Sequence, residues 1–580
     1  MRRYLHVFSK AAAYAGRSCR WVFRRLWWSA SMLGISSLLW LLFRSGARPT
    51  RLVYPCQRVA AANVHAWAGV SLMTLFLRLR RRLWTLLTSS RLVPVLVITS
   101  VVALLGLVVA KGLDWRGAAR LRALQEAADR MTGVLSPSSS VFVVKDGGGP
   151  DGMRHLGLDR LINLMGVHDL CFYRTEKPGI ACSPDGLIAA NDVVVIKVNC
   201  QWDSRGGTNT DLVKGLITWI TDHPDGFSGE IVVADNGQDV GIGGSLDWPN
   251  SNAEDHGQSA QDVVNLFSPS HRVSTYLWTN IRNRSVAEFD QKDMTDGYVL
   301  APTPDPQTNF RVSYPKFTTP YGTRISLKRG VYTPDKDAGT YDKERLKLIN
   351  VPVLKTHSGF GMTACVKHYI GVQSQPLSDG HNRLAGGAMG TLLADLDLPV
   401  LNILDAIYIN ANPKGTSGNG PSTSYANATR LDILMASTDP IALDAWAARN
   451  VMTPAIYDKG YTNPNLGDFW NYLENSKNVL LSRGHAVTSD SKSINVFEAK
   501  NELPLLTGVG IGESGGVNLR WLEIAPGPFR YTIEQSGDPG GEWEPVPGTS
   551  WPISETEWTS AETLSAGKCF YRLRRETGPK

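Results

Sequence analysis

The chain has 580 residues, 43% hydrophobic and 19% charged, which excludes an intrinsically disordered protein and fits ordinary folded domains. Its net charge of +7 is divided unevenly: residues 1–130 hold 21 Lys+Arg against 3 Asp+Glu, net +18, and the remainder holds 39 against 50, net −11. The basic part is also the most apolar part, so the positive charge does not indicate nucleic-acid binding, and the length exceeds the roughly 250–300 residues served by one core.

Residues 26–43 (LWWSASMLGISSLLWLLF) and 92–110 (LVPVLVITSVVALLGLVVA) carry no charge and lie between Arg25 and Arg44 and between Arg91 and Lys111. Each is about long enough to cross a hydrocarbon layer of roughly 30 Å, so residues 1–112 are expected to anchor the chain in a lipid bilayer. A third uncharged run, 59–77, is richer in Ala, Ser, Asn and His and is open between spanning, interfacial and packing roles. If it spans, the seven Lys/Arg of residues 1–25 share the retained side with Arg78, Arg80, Arg81, Arg82 and Arg91, and the large domain faces out of the cytoplasm. With two spans, the charge bias selects no side. Residues 113–135 read as a stalk helix and linker, with Leu121, Leu124, Ala128 and Met131 at helical spacing, and SPSSS (136–140) as the joint to the soluble part.

The seven cysteines, 19, 56, 171, 182, 200, 365 and 569, include no C-x-x-C pair, so no intrinsic iron-sulfur cluster or zinc ribbon is expected. Cys56, in YPCQ, is a candidate reactive thiol or an inert one.

From 136 to 500 the chain alternates apolar β-branched runs with helical patterns. SVFVVK (140–145), DVVVIKVN (192–199), GEIVVADNG (229–237), LKLINVPVL (346–354) and LPVLNILDAI (398–407) read as strands, and TDLVKGLITWITDH (210–223) and DPIALDAWAARNVM (439–452) as helices. This predicts an α/β domain whose mainly parallel sheet has helices on both faces. The stretch from about 240 to 340, rich in Asn, Asp, Pro and Gly, is open between a lid and an irregular surface elaboration.

In open sheets of this kind, ligands bind outside the carboxyl ends of the strands. The predicted strands end in Lys197 and Asn199, in Asp235 and Asn236, in Lys355 and His357, and in Asp405, which suggests one shared polar rim. Thr208, Asn209 or Thr210 can cap the next helix and aim its amide groups at that rim. Asp439 before Pro440 is a helix cap by pattern, and Asp444, one and a half turns inside the same helix, has no capping role and is the more suggestive of a functional group. The segment SGFGMT (358–363) has the strand, small-residue loop and helix order of a phosphate loop but lacks its diagnostic Gly-Lys-Ser/Thr. Thr363 can cap the short helix ending near Gly371, with Lys367 one turn later on the same face.

IKVN (196–199), VADN (233–236), INVPVLKTH and TACVKHYIG (349–371), ILDA (403–406) and STDPIALDA (437–445) occur in the order of the motifs of the domain of unknown function 362 family, which the chain resembles over about 140–455. The resemblance implies that Lys197, Asn199, Asp235, Lys355, His357, Lys367, Asp405, Asp439 and Asp444 fall on motif positions, and it supplies no reaction. Many relatives carry ferredoxin-like cysteines, which this chain lacks.

Residues 505–580, with LRWLEI, FRYTIEQS, EWEPVPG and CFYRLRRE, read as short strands between Gly/Pro turns, similar to small β-sandwich modules that end extracytoplasmic bacterial proteins. Their Trp521, Tyr531, Trp543 and Tyr571 are expected to be core rather than a carbohydrate platform.

Two functions are expected from these residues. In the first, the protein is an enzyme: Lys197, Lys355 and Lys367 hold a small anionic ligand with Asn199, Thr363 and Asp444 nearby, His357 transfers a proton, and Asp235 and Asp405 orient it or hold a divalent cation of unspecified identity. In the second, the same rim belongs to a non-catalytic, membrane-tethered ligand-binding or envelope scaffold protein.

Overall fold

The computed structural model describes residues 139–577 apart from 238–243, 249–251, 337–338, 358, 411–424, 426–427, 457–461, 512–515 and 564–568. The expected bilayer segments, the stalk, Cys19 and Cys56 lie outside the described residues. Among the described residues, no helix is long and apolar enough to cross a membrane. The chain divides into two compact units, Met1–Leu135 and Ser136–Lys580, and the second holds every described residue.

A ten-stranded mixed sheet is the frame. Its strands are β1 (Ser139–Lys145), β2 (Val193–Lys197), β3 (Glu230–Asp235), β4 (Val273–Leu277), β5 (Leu346–Asn350), β6 (Val353–His357), β7 (Gly361–Thr363), β8 (Leu401–Asn410), β9 (Thr429–Ser437) and β10 (Ile494–Glu498). They lie in the order β10-β1-β9-β8-β5-β2-β3-β4, with β6 also beside β8 and β7 returning beside β6. Neighbours pair in parallel except at β9, antiparallel to β1 and β8, and at β7, antiparallel to β6.

Burial follows from the sequence of each strand. VVVIK in β2 and EIVVAD in β3 are buried at every position, because both faces of the sheet are covered. Val195 and Val232 join one core, while Val194 and Val233 join the other, as the two-residue period of a strand requires. Helices α1 (Leu156–Val167), α2 (Thr210–Thr221) and α3 (Ala260–Phe267) add Leu161, Leu216 and Val263 to the second core. Helices α4 (Cys365–His368), α5 (Ala388–Leu396), α6 (Pro440–Ala447) and α7 (Gly467–Ser482) add Val366, Leu392, Leu443 and Phe469 to the first.

One expected strand is two. The apolar run 346–354 breaks at Val351 and Pro352, where proline offers no amide to a ladder. Before the break, β5 pairs with β2 on one side and β8 on the other; after it, β6 stays with β8, through Val353 opposite Asp405, and no longer pairs with β2. The fork between β2 and β6 is bridged from the 198–209 loop. There Thr208 Oγ1 accepts from the Asn199 amide at 2.8 Å and donates to the Val351 carbonyl at 2.8 Å.

The described part of the 240–340 stretch is not irregular. It contains α3, β4 and a five-stranded antiparallel sheet in the order Thr340–Asp342, Gly330–Thr333, Arg324–Ser326, Ser313–Thr318, Gly297–Leu300. Phe317, Ile325 and Val331 of that sheet are part of the first core.

At the C-terminus, two three-stranded sheets enclose a small core of Leu519, Trp521, Tyr531, Ile533 and Trp558. Trp521 and Tyr531 are buried, Tyr571 packs against that core, and Trp543 lies under the guanidinium of Arg572 at 4.7 Å. Arg160 on α1 ties this part to the main sheet by donating to the carbonyls of Glu523, Ile524 and Ala525.

Candidate functional site

The parallel strands β2, β3, β6 and β8 bring their carboxyl ends to one side of the sheet, and the polar residues there divide into three groups. The first is an ion pair. Lys197 ends β2 fully buried and donates to Asp235 Oδ1 at 2.8 Å and to its neighbour's carbonyl, Val198 O, at 3.0 Å. Asp235 Oδ2 accepts from the Cys200 amide at 3.0 Å and from its thiol at 3.3 Å. Burial lowers the Lys197 pKa, and Asp235 opposes that. Gly371 closes over the pair, where a Cβ would lie 2.4 Å from Lys197 Nζ and 2.5 Å from Asp235 Oδ1, so that any larger residue must displace the pair.

The second group is cationic and lacks a carboxylate. Lys355 fills the fork, 2% exposed, with Nζ donating to Gly206 O at 2.6 Å and to Asn199 Oδ1 at 3.4 Å. Burial drives its pKa far down, the Lys367 ammonium drives it further, and Asp235 opposes both. Lys367, on α4 and 4% exposed, makes no hydrogen bond or ion pair among the described residues; the Phe360 ring lies 5.6 Å from its Nζ. Burial alone brings Lys367 to a pKa of about 7.

His357 is half-buried, and its Nδ1 accepts from the Gly359 amide at 3.0 Å, which leaves the ring proton on Nε2. Its ring centre is 5.4 Å from that of Phe360 and 5.9 Å from that of His381. Burial, then Lys367, His381 and Lys355, hold the His357 imidazole neutral far below its ordinary pKa. Burial and Lys367 bring His381 to about 3.

The third group is structural. Asp405 does not end its strand, since β8 runs on to Asn410, and it is fully buried: Oδ2 accepts from the Asn209 amide at 3.0 Å and from Asn252 Nδ2 at 3.3 Å, and Oδ1 from the Ile407 amide at 3.1 Å. Burial pushes it up to about 6 despite those donors. It holds the start of α2, where Asn209 is the cap, accepting from Asp211 N at 2.9 Å and Leu212 N at 3.3 Å. Asp235 and Asp405 thus spend their oxygens on separate partners. Among the described residues, no three His, Cys, Asp or Glu side chains are grouped to hold a metal ion.

Two expectations about α4 change. Thr363 does not cap it; Thr363 is the last residue of β7, paired with Lys355 across the ladder, and so shares no helix face with Lys367. The cap is Asp444, whose two oxygens accept from the Cys365 amide at 2.8 Å and the Val366 amide at 3.0 Å. Asp444 thus caps a neighbouring helix rather than its own, and burial raises its pKa to about 7. Asp439 caps its own helix, accepting from Ile441 N at 2.8 Å and Ala442 N at 3.0 Å.

Five residues of the site were not singled out from the sequence. Asn350, at the end of β5, joins the Asn402 side chain at 2.9 Å to buried His368 at 2.7 Å. His381 comes from a segment with no pattern, Gly371 is one glycine among 55, and Gly206 contributes only a backbone carbonyl. His368, next to Lys367 in VKHYIG, had a signal in its position. Asn199 also lines a cleft with Trp202, Thr208, Leu246 and Trp248.

Residues 343–449 match the model of a family described as Domain of unknown function (DUF362). This segment holds Lys355, His357, Thr363, Lys367, Asp405, Asp439 and Asp444, while Lys197, Asn199 and Asp235 precede it. No curated protein and no solved structure matches the chain.

Proposed function

We propose that the protein is a membrane-anchored enzyme that binds a small anionic ligand at the carboxyl ends of its parallel strands. The observation that carries this reading is the excess of buried positive groups: Lys197 is matched by Asp235, whereas Lys355 has only neutral oxygens and Lys367 has no polar partner among the described residues. Buried ammonium groups without counter-charge are costly, and a bound phosphate or carboxylate removes that cost. In this role Lys355 and Lys367 hold the anion, Asn199 and Lys197 with Asp235 shape its surroundings, and His357, neutral at rest, transfers the proton by accepting it at Nδ1 in place of the Gly359 amide. The anion reading is favoured over a divalent cation because the carboxylates available, Asp235 and Asp405, are already engaged.

Thermal unfolding of the purified full-length protein in detergent tests this. Inorganic phosphate, phosphorylated metabolites or dicarboxylates should raise Tm, by about 2.7 kcal/mol of stabilisation at a hundredfold excess over Kd. Lys355→Met and Lys367→Met should remove most of the response. If no anion stabilises the wild type, or both variants respond as it does, the proposal fails. Binding with no turnover of any ligand would select the non-catalytic, membrane-tethered reading. The anchor rests on the uncharged runs 26–43 and 92–110; the charge pattern places the large domain outside the cytoplasm if residues 59–77 span as well, and the similarity of residues 505–580 to modules of extracytoplasmic proteins favours that side. A reporter fused after Lys580 is expected to work only outside the cytoplasm; activity inside alone would reverse that side.

A further inference from the structure

Lys367 differs from the two other buried lysines of the site. Lys197 donates to a carboxylate and Lys355 to a carbonyl and an amide oxygen, but the amine of Lys367 has only the Phe360 ring at 5.6 Å. A lysine retained for folding alone and only 4% exposed is expected to have a polar partner. Its position is nevertheless fixed, because it belongs to α4, whose first amides are held by Asp444. Lys355, His357 and His381 each feel the charge of Lys367, and no carboxylate acts on Lys367 itself.

We propose that Lys367 is a covalent catalytic residue that condenses with the carbonyl carbon of a small anionic 2-oxo acid to form an imine. The inference rests on the anionic-ligand reading and adds the ligand's chemical class and a bond. An amine acts as a nucleophile only when unprotonated, and desolvation beside other cationic groups is a known way to keep it so near neutral pH. A pKa of about 7 for Lys367 agrees with this. Lys355, its amine held by Gly206 O and Asn199 Oδ1, takes up a proton as the carboxylate binds, because an opposite charge favours the ammonium, and so supplies the contact for it.

The step balances without an oxidant or reductant. The amine lone pair attacks the carbonyl carbon, a nitrogen–carbon bond forms, and the carbonyl π pair moves to oxygen. The carbon–oxygen bond then breaks, the two amine hydrogens and the oxygen leave as water, and a carbon–nitrogen double bond remains. His357 is the group in the cluster suited to move the proton: as the Gly359 amide lets go of Nδ1, the ring takes a proton from the attacking nitrogen there, and the imidazolium so formed gives a proton to the departing hydroxyl and returns to neutral.

The test incubates the full-length protein with pyruvate, or with its neutral amide pyruvamide, in the presence of cyanoborohydride, followed by peptide mass mapping. The expected result is a reduced adduct on Lys367 that forms from pyruvate about tenfold faster than from pyruvamide, the ratio that one favourable charge contact gives. Lys355→Met should erase that preference and keep the pyruvamide adduct. Lys367→Arg, which keeps the charge and cannot form an imine, should give none, and its circular dichroism reports whether it has folded. Adducts confined to other lysines, in a protein that phosphate still stabilises, would overturn the imine and leave anion binding intact. A Lys367 adduct with no preference for pyruvate would support the imine and overturn the anionic reading.

Discussion

Lys197 and Lys367 are both buried at the same end of the sheet, yet a carboxylate 2.8 Å away keeps one as an ion pair and the other stands without a partner among the described residues. That difference has a consequence for stability against pH. The pKa of Lys367 falls from 10.5 to about 7 on folding, so between those values the unfolded chain binds more protons than the folded one, and stability rises with pH. The contribution is complete above the unfolded value and is lost as pH falls through about 7. Urea midpoints should therefore climb from neutral to alkaline pH in the wild type, with a total effect on the order of a few kcal/mol, and Lys367→Met should flatten the climb. Parallel curves for the two proteins would contradict the assignment. Gly371→Ala addresses the ion pair directly: a methyl 2.4 Å from Lys197 Nζ and 2.5 Å from Asp235 Oδ1 forces them apart, and a loss of about 1–3 kcal/mol is expected in chemical denaturation.

At the scale of elements, the site is made by a break and by a cap. The apolar run 346–354 looks continuous because both β5 and β6 are buried, and Pro352 was the only local sign that the strand divides there. The break is what lets β6 leave β2 and makes room for Lys355. Strands β2 and β3 were legible, since unbroken β-branched runs cannot be placed elsewhere than in a sheet covered on both faces. The cap of α4 was not, because its carboxylate lies 79 residues away on α6 and looked like an acid with no capping duty. Asp444→Asn retains one acceptor and sets an amide group against backbone donors. It should cost about 1–3 kcal/mol in the urea midpoint, and an unchanged midpoint would mean that α4 is held by its packing alone.

For the whole folded unit, Arg160 joins the C-terminal sheets to α1 through three carbonyls, and Arg575 adds contacts to Glu502 O at 2.8 Å and Glu523 Oε1 at 2.9 Å. Replacing Arg160 by Ala leaves those carbonyls without their donor, so limited proteolysis should cut within about residues 502–529 faster than in the wild type, while the main sheet stays protected. Equal cutting rates would show that the contact adds nothing to the fastening. By itself the sequence determined the separation of a basic apolar segment from an acidic remainder, the sheet covered on both faces, and the set of polar residues at its strand ends. These are properties of composition and of short-range period, which each segment carries alone. Only the tertiary structure decided which of those residues neutralise one another. Lys197 meets Asp235 across 38 positions, Asp405 is taken by the start of α2, Asp444 by the start of α4, and Lys367 is left over, because charge pairing depends on distances that exist only after the chain has closed on itself.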